Sequence, residues 1–371
     1  MKTKEESKVA YDIWRSINSP KTAIAPMVDM CDLPFRILCR KYGTELSYTQ
    51  MYNCIHFTNS ETFREKVYKE INEELDYPYI VQLSGHDPEL LLKSAKYLQQ
   101  KKVPYVDLNL GCPQMIAKHG HYGSFLLDHP DEVYKIIGYL CNNTKVPISC
   151  KIRLFNDLEK TYELCNKVEE LGIKLLCVHG RTKEQNKDRV GACNWDAIKK
   201  IKEMLSVPII ANGGIGTFDD IQKCFDYTKC DCVMSGEKLI EMPSFFSKKL
   251  YDIDDIAFEY LELWKKYRPN DIESNMTVIK GHLFKFYFSA CQSNPDFLQT
   301  IGKLNTWNEC YELGKIIKEY RKDVKIEDKY TWYMRHRNKV KPDNNSFNTL
   351  ILANETNSEN IVDNVLPEFF G

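Results

Sequence analysis

Short apolar segments alternate with segments of helical spacing over the first two thirds of the chain. Strands are predicted at residues 22–28, 44–49, 79–83, 103–110, 147–152, 174–179, 208–212 and 231–235. Amphipathic helices are predicted between most of them, and this alternation indicates a parallel sheet with helical crossovers. Eight such units over roughly 230 residues favour a closed (β/α)8 TIM barrel over an open doubly wound sheet. No strand-GxGxxG-helix motif supports the open sheet.

The pattern changes after residue 250. Residues 256–267, 277–293 and 307–320 have helical spacing without intervening strands, which predicts an all-helical C-terminal domain after the α/β barrel. The predicted organisation is an N-terminal segment at 1–21, the barrel at 22–250, the helical domain at 251–322, a basic extension at 323–341 and a tail at 342–371. That tail has no Lys or Arg and many Asn, a composition that indicates disorder.

Composition narrows the class of protein. The chain has 371 residues and a formal net charge of −1, so any nucleic-acid-binding surface must be local. The 14 cysteines form no CxxC pair, which predicts reduced thiols in the cytosol or the nucleus and no metal site. The charged N-terminus lacks the apolar core of a signal peptide, and no apolar run approaches the roughly 20 residues of a membrane span. We therefore expect a cytoplasmic protein, or one that is also nuclear, without a membrane or an obligate protein partner.

The stretch at residues 105–123, YVDLNLGCPQMIAKHGHYG, contains the strongest candidate for chemistry. A predicted strand ends at Gly111 and Pro113, with Cys112 between them. A free thiol has a pKa of roughly 8.5, so Cys112 is a proton donor before it is a nucleophile. The alternative is a buried inert cysteine, which is the commonest fate of a free thiol. Its place at the end of a strand favours the functional interpretation.

Polar residues also follow the other predicted strands, and the carboxyl ends of all strands meet at one face of a barrel. Each has an ordinary structural alternative, as a loop, a solvated lysine or a core histidine. The residues are Met27, Gln82, Asn109, Lys151, Arg153, His179, Arg181, Asn212, Gly213, Gly214, Gly236 and Glu237. Asn212, Gly213 and Gly214 follow the seventh strand, and Gly236 and Glu237 follow the eighth. Barrels often bind phosphate after these two strands. A phosphate site, a lysine, an amide and a thiol suit reduced flavin and the reduction of a polarised C=C bond.

The sequence resembles the tRNA-dihydrouridine synthases, most closely the eukaryotic class that acts at D-loop positions sixteen and seventeen. The runs that carry the resemblance are APMVDMCDLPFR (25–36), VQLSG (81–85), DLNLGCPQ (107–114), AKHGHYGSFL (117–126), KIRLF (151–155), VHGRTKEQ (178–185), ANGGI (211–215) and VMSGE (233–237). The run around Cys112 and HGRTKEQ are highly specific. The helical region resembles the RNA-binding domain of the family more weakly.

The resemblance implies FMN as cofactor, NADPH as reductant and a D-loop uridine of tRNA as substrate. It implies that Cys112 protonates uracil C5 while N5 of FMN delivers a hydride to C6. The implied FMN contacts are Pro26, Met27, Val28, Gln82, Lys151, His179, Asn212, Gly213, Gly214, Gly236 and Glu237. The candidate substrate contacts are Asn109 and Arg181 at the barrel, and Lys280, Lys285, Arg335 and Arg337 for RNA. Three residues depart from the common pattern, because Met115 and His119 replace basic residues and Glu237 is acidic.

Other functions compete with this interpretation. A flavin barrel that reduces a free small molecule would need no helical domain or basic segment. An RNA-binding barrel without chemistry would need neither Cys112 nor Lys151. An aldolase acting through a Schiff base on Lys151 lacks any lysine-activating pattern.

Overall fold

The computed structural model describes residues 4–186 and 189–331, and the chain divides into two compact units between Gly236 and Glu237. In the described part of the first unit, eight parallel strands form one sheet in the order β1-β8-β7-β6-β5-β4-β3-β2. The strands are β1 (Thr22–Ile24), β2 (Ser47–Asn53), β3 (Tyr79–Ser84), β4 (Tyr105–Leu110), β5 (Ile148–Leu154), β6 (Leu175–Thr182), β7 (Ile209–Asn212) and β8 (Cys232–Ser235).

Two backbone hydrogen bonds join the sheet's edges into a barrel. Leu46, just before β2, donates to Thr22 O at 2.9 Å and accepts from Ile24 N at 3.0 Å. An open parallel sheet would leave both edges unpaired, whereas closure removes them. The (β/α)8 barrel predicted from the sequence is therefore confirmed.

Helices follow the strands as the apolar spacing predicts. Several begin at an acidic or hydroxyl N-cap; Asp87, for example, accepts from Glu89 N at 2.8 Å and Leu90 N at 3.1 Å before Pro88 opens its helix. The helices of the first unit are α1 (Lys4–Ser16), α2 (Leu33–Lys41), α3 (Cys54–Asn59), α4 (Glu61–Lys69), α5 (Glu73–Asp76), α6 (Pro88–Gln100), α7 (Met115–His119), α8 (Pro130–Asn143), α9 (Leu158–Glu170), α10 (Trp195–Met204) and α11 (Phe218–Thr228).

Helix α1 was not predicted by the strand–helix alternation, which left residues 1–21 as an N-terminal segment with no assigned helix or strand. Trp14 and Ile17 are each only 2% exposed and pack in one cluster with interior residues such as Ala23 and Leu46. Because α1 leads directly into β1, it covers the barrel face that carries the strands' N-terminal ends. The signal was present in the helical spacing of Ala10, Trp14 and Ile17.

The second unit is helical throughout its described part. Its α-helices are α12 (Glu237–Glu241), α13 (Ile253–Tyr267), α14 (Met276–Phe286), α15 (Phe288–Ser293), α16 (Asp296–Lys303) and α17 (Trp307–Tyr320). The division precedes the predicted boundary at 250/251 because α12 packs against α14. The predicted helix 277–293 is two helices that meet at Tyr287. No helix in the described residues is long and apolar enough to cross a membrane.

A buried ion cluster ties α2 to α5. Asp76 is fully buried and accepts from Arg36 Nε at 2.7 Å and Arg40 Nε at 2.9 Å. The Arg36 guanidinium, also fully buried, donates to the carbonyls of Cys31 and Glu70 as well. Loss of one partner would leave a buried charge without compensation.

We expect Asp76→Ala to lower the free energy of unfolding by about 3–5 kcal/mol, because the Nε groups of Arg36 and Arg40 would lose their carboxylate while Arg36 stays buried. Denaturant titration followed by circular dichroism measures this change. Asp219→Ala is the control, since the Asp219 side chain is 81% exposed and should cost at most about 0.5 kcal/mol. Equal effects of the two substitutions would contradict the buried-cluster explanation.

Candidate active site

Cys112 lies in the loop that follows β4, and its backbone is held on both sides. Its N–H donates to Asn109 Oδ1 at 3.0 Å, and its carbonyl accepts from Ser124 N at 3.0 Å and Ser124 Oγ at 2.9 Å. Gly123, at φ +68°, lies against this carbonyl, and a Cβ there would come within 2.7 Å of the Cys112 oxygen. The half-buried thiol is therefore carried on a fixed turn.

The thiol is protonated at neutral pH. Burial raises the pKa of Cys112 from its ordinary value of 9.0, while the N–H of Gln114 and the cations of Arg153 and Lys151 oppose that rise. The same neighbours would stabilise the thiolate that remains after a proton is given away. Cys112 is consequently suited to act as a general acid.

A chain of buried polar side chains supports the turn. Gln82 Nε2 donates to Asp107 Oδ2 at 2.8 Å, and Asn109 Nδ2 donates to Gln82 Oε1 at 2.7 Å. Asn109 Oδ1 then accepts from the N–H of Gly111 at 3.1 Å as well as from Cys112. Gln82 and Asn109, predicted as a cofactor contact and a substrate contact, thus meet each other directly beneath the Cys112 loop.

Positive side chains gather at the ends of β5 and β6. The ammonium of Lys151, a half-buried residue of β5, makes no hydrogen bond or ion pair among the described residues. Arg153 Nε donates to Gly111 O at 2.9 Å and so ties β5 to the Cys112 loop. Arg181 Nη1 donates to His179 Nε2 at 3.1 Å. The face that carries Cys112 is therefore rich in cations, and Lys151 is available to a ligand.

His179 is a neutral imidazole in this setting. Burial, followed by the charges of Arg153, Lys151 and Arg181, holds its pKa well below 6.5. Because its Nε2 accepts from Arg181, the proton of the neutral ring resides on Nδ1. His179 can thus offer one N–H donor without adding a further positive charge.

Glycines leave space at the ends of β7 and β8. Gly213 and Gly214 have φ +100° and +77°, and a Cβ on Gly213 would lie 2.8 Å from His179 Cδ2. Trp195 Nε1 donates to Gly213 O at 3.1 Å, and Asn212 Nδ2 donates to Met234 O at 3.1 Å, so both sides of this turn are fixed. Among the described residues the N–H groups of Gly213 and Gly214 make no hydrogen bond.

Residues after β1 meet the end of β8. A Cβ on Gly236 would lie 3.1 Å from Ala25 Cβ and 3.2 Å from Met27 Sδ. Pro26 and Met27 are half-buried, whereas Val28 is 48% exposed. The predicted contacts Pro26, Met27 and Val28 therefore line the rim next to the glycine turn.

These residues fit a phosphorylated, flat, electron-rich cofactor such as FMN. Two backbone donors without acceptors and an ammonium without a partner lie at the same end of the barrel. Backbone N–H groups in a glycine turn are suited to phosphate, and a lysine favours negative charge on a ring edge. Gln82 keeps one free N–H after its bond to Asp107. This donor set is compatible with a flavin mononucleotide.

The remaining predicted residues belong to the second unit or lie outside the described residues. Glu237 is the first residue of the second unit and begins α12. On α14 of that unit, Lys280 Nζ donates to Gly302 O at 3.1 Å, and Lys285 Nζ lies 5.4 Å from the Phe284 ring centroid. Arg335 and Arg337, with the rest of the basic extension after residue 331 and the predicted tail, lie outside the described residues.

Sequence reasoning missed Asp107, Ser149 and Cys193. Asp107 occupies an otherwise apolar strand two residues before Asn109, which places both side chains on one face. Cys193 packs under Gly213 and Gly214 from a loop that has no strand or helix signal. A charged residue inside a strand was therefore a readable signal, whereas the Cys193 contact depends on tertiary folding alone.

Comparison with known proteins decides the family. The family described as dihydrouridine synthase (Dus) matches residues 23–345, which is most of the chain. The chain belongs to the dihydrouridine synthase family. The resemblance inferred from the Cys112 loop and the strand ends is thereby confirmed.

Three relatives of this family carry the same name for two tRNA positions. A tRNA-dihydrouridine(16/17) synthase [NAD(P)(+)] of Saccharomyces cerevisiae is 36% identical over 86% of this chain and 80% of its own length. The corresponding protein of Schizosaccharomyces pombe is 38% identical over 74% and 71%. The Mus musculus protein named as similar to this synthase is 34% identical over 80% of this chain, which spans 61% of its length.

We expect alkylation of Cys112 to be slow at pH 7 and to accelerate with pH beyond 9, because its raised pKa keeps the thiol protonated. Lys151→Met should move the curve to higher pH, since one cation that favours the thiolate is lost. Mass spectrometry of the peptide that contains Cys112 measures the rate. Lys145→Met, which removes an exposed lysine just before β5, should leave the curve in place. A midpoint below 8 in the unaltered protein would contradict the protonated state.

Proposed function

We propose that this protein is an FMN-dependent tRNA-dihydrouridine synthase that uses NADPH to reduce a D-loop uridine of tRNA. The observation that carries the proposal is the half-buried, protonated Cys112 thiol, held beside an unpartnered Lys151 in a member of the dihydrouridine synthase family. Because the three relatives described above are named for positions sixteen and seventeen, those positions are the proposed targets.

The glycine turn and the lysine would hold the cofactor. The N–H groups of Gly213 and Gly214 would bind its phosphate, and Lys151 would lie against the ring edge that becomes negative on reduction. The remaining N–H of Gln82 and the Nδ1–H of His179 are further donors toward the ring or its side chain. When bound, reduced FMN supplies the hydride that adds to uracil C6.

Cys112 completes the reduction. Its thiol proton passes to uracil C5, the S–H bond breaks as the C–H bond forms, and the sulfur is left as a thiolate. Lys151, Arg153 and the N–H of Gln114 stabilise that thiolate until solvent returns a proton. Cys112 therefore keeps its proton until the uracil binds, and these neighbours stabilise the thiolate after the proton has been transferred.

The substrate must reach this acid at the end of a barrel. A uridine stacked in an RNA loop is inaccessible there, so a flipped base is the expected geometry. Asn109 and Arg181 are proposed to contact the uracil, while Lys280, Lys285, Arg335 and Arg337 are proposed to contact the RNA backbone. Met115 and Ile116, which are 58% and 64% exposed on α7, add apolar surface next to Cys112. Contacts to the RNA backbone would make the affinity fall as the salt concentration rises.

We expect Cys112→Ala to retain FMN and NADPH oxidation but to lower dihydrouridine formation by about 10²–10⁴-fold, because the general acid is lost. The assay incubates purified protein with FMN, NADPH and an unmodified tRNA transcript, and maps dihydrouridine by mass spectrometry. Cys141→Ala, on outer helix α8, is the matched control and should retain activity. Product formation by Cys112→Ala at the control rate would remove the thiol from the mechanism, and no product from the unaltered protein would reject the function.

Gly213→Ala should weaken FMN binding by roughly tenfold or more, since a left-handed backbone costs a non-glycine residue about 1–2 kcal/mol. The new Cβ would also collide with His179. Flavin absorbance per mole of purified protein and FMN titration measure the effect. Gly138→Ala is the control, because this helical glycine on α8 meets only a flexible Leu171 side chain. Equal FMN affinity in the two variants would place the cofactor elsewhere.

A further inference from the structure

A buried carboxylate sets the direction of the polar chain below Cys112. Asp107 Oδ1 accepts from Ser149 Oγ at 2.7 Å, and Asp107 Oδ2 accepts from Gln82 Nε2 at 2.8 Å. The ladder places Asp107 opposite Gln82 on β3 and opposite Ser149 on β5. All the donors and acceptors of this contact are thus provided by neighbouring strands.

An ionised carboxylate can only accept hydrogen bonds, whereas a carboxamide can present either its oxygen or its NH₂ group. Asp107 therefore requires the NH₂ group of Gln82, which turns Oε1 of Gln82 toward Asn109. That oxygen requires the NH₂ group of Asn109, at 2.7 Å. The oxygen of Asn109 is then directed to the N–H groups of Gly111 and Cys112.

The reverse orientation is excluded at each step. If Asn109 turned its NH₂ group toward the loop, two backbone donors would face two further donors. If Gln82 turned, its oxygen would face the Asp107 carboxylate. Gln82 and Asp107 are fully buried and Asn109 is 8% exposed, so water is not available to repair either mismatch.

We propose that Asp107 is a positioning residue that fixes, through the Gln82 and Asn109 amides, the backbone that carries the Cys112 thiol. The inference rests on the proposed role of Cys112 as the acid. It assigns the placement of that acid to Asp107, whose side chain hydrogen-bonds to Gln82 and Ser149 and not to the loop itself. Burial raises the pKa of Asp107 to about 6, which still leaves it an ionised acceptor at neutral pH.

The direction of the chain can be reversed by substitution. Asn109→Asp places a carboxylate oxygen against Gln82 Oε1, and Gln82 cannot turn because Asp107 holds its NH₂ group. Adding Asp107→Asn removes that restriction, since the new carboxamide at position 107 can donate to Gln82 Oε1. The NH₂ group of Gln82 can then donate to the new carboxylate at position 109. Adding Asp107→Asn should therefore restore the protection of the Gly111 and Cys112 amides that Asn109→Asp removes, although no hydrogen bond joins positions 107 and 109.

Hydrogen–deuterium exchange of the Gly111 and Cys112 amides measures the loop directly in the purified full-length protein. Asn109→Asp should accelerate this exchange by roughly tenfold, the size of effect that a coupled pair of contacts produces. The double variant should return to within about threefold of the unaltered protein. Thermal melting of each variant shows whether the change is local, because a loss of global stability would accelerate exchange everywhere.

A matched control is Asn53→Asp with and without Asp107→Asn. Asn53 Oδ1 also accepts from two backbone N–H groups, those of Ile55 at 2.9 Å and His56 at 3.4 Å, but it caps α3 outside the chain of buried amides. Its two protected amides should be insensitive to Asp107→Asn. If Asp107→Asn changed the exchange of these two amides as much as that of Gly111 and Cys112, the substitution would act on the whole barrel.

The outcomes separate this inference from the proposed function. Fast exchange in the double variant, or unchanged exchange in Asn109→Asp, overturns the role of Asp107. Should Asn109→Asp fail to fold, recovery of folding in the double variant supports the role and persistent misfolding overturns it. Hydrogen–deuterium exchange requires neither NADPH nor tRNA. If the double variant regained slow exchange but the unaltered protein made no dihydrouridine, the proposed function would be rejected and the role of Asp107 would stand.

Discussion

Closure of the parallel barrel is the constraint on which the whole site depends. The hydrogen bonds of Leu46 with Thr22 and Ile24 join β2 to β1, so the C-terminal ends of all eight strands surround one opening. The register then sets the neighbours: Asn109 lies opposite Lys151, Arg153 opposite His179, and His179 opposite Asn212. A shift of one residue in any strand would turn its functional side chain away from the opening.

The charged side chains named at this opening are positive. Lys151, Arg153 and Arg181 contribute positive charge, and burial makes His179 neutral instead of adding to it. Keeping a half-buried ammonium without an acceptor costs free energy in the isolated protein. An anionic ligand at Lys151 would offset that cost. Lys151 and Arg153 also moderate the rise in the pKa of Cys112, so the binding of an anionic ligand at Lys151 would change the acid strength of the thiol.

Much of the fold could be predicted from the sequence because parallel strands buried on both faces give clear apolar runs. The predicted strands at 79–83 and 208–212 agree with β3 and β7 to within a residue. The helices α3, α4 and α5 after β2 were missed, since short capped helices leave weak periodicity. The predicted boundary at residue 250 lies after the division at Gly236, because the apolar residues between the two resemble a continuation of the same pattern.

The site was less predictable than the fold in one respect. Residue type and strand position identified Lys151, His179 and the glycine turn, because these signals are local. The links between them were not readable, since Asp107, Gln82 and Asn109 form a chain only after β3 and β4 pair in register. Spacing can indicate that two side chains share a face, but it cannot state which atom of an amide faces which neighbour.

The Cys112 loop has a fixed main chain around a thiol that, in the proposed mechanism, must change its protonation state. The backbone on either side of the thiol is bound in both directions: Asn109 accepts from the N–H groups of Gly111 and Cys112, and Arg153 and Ser124 donate to the two carbonyls. A general acid alternates between two protonation states, so a strong side-chain partner would favour one state and slow the other. Fixing the main chain avoids this conflict, because it places the sulfur without committing its proton. The structure therefore fixes the position of Cys112 through its main chain and leaves the proton of the thiol free to transfer in the proposed mechanism.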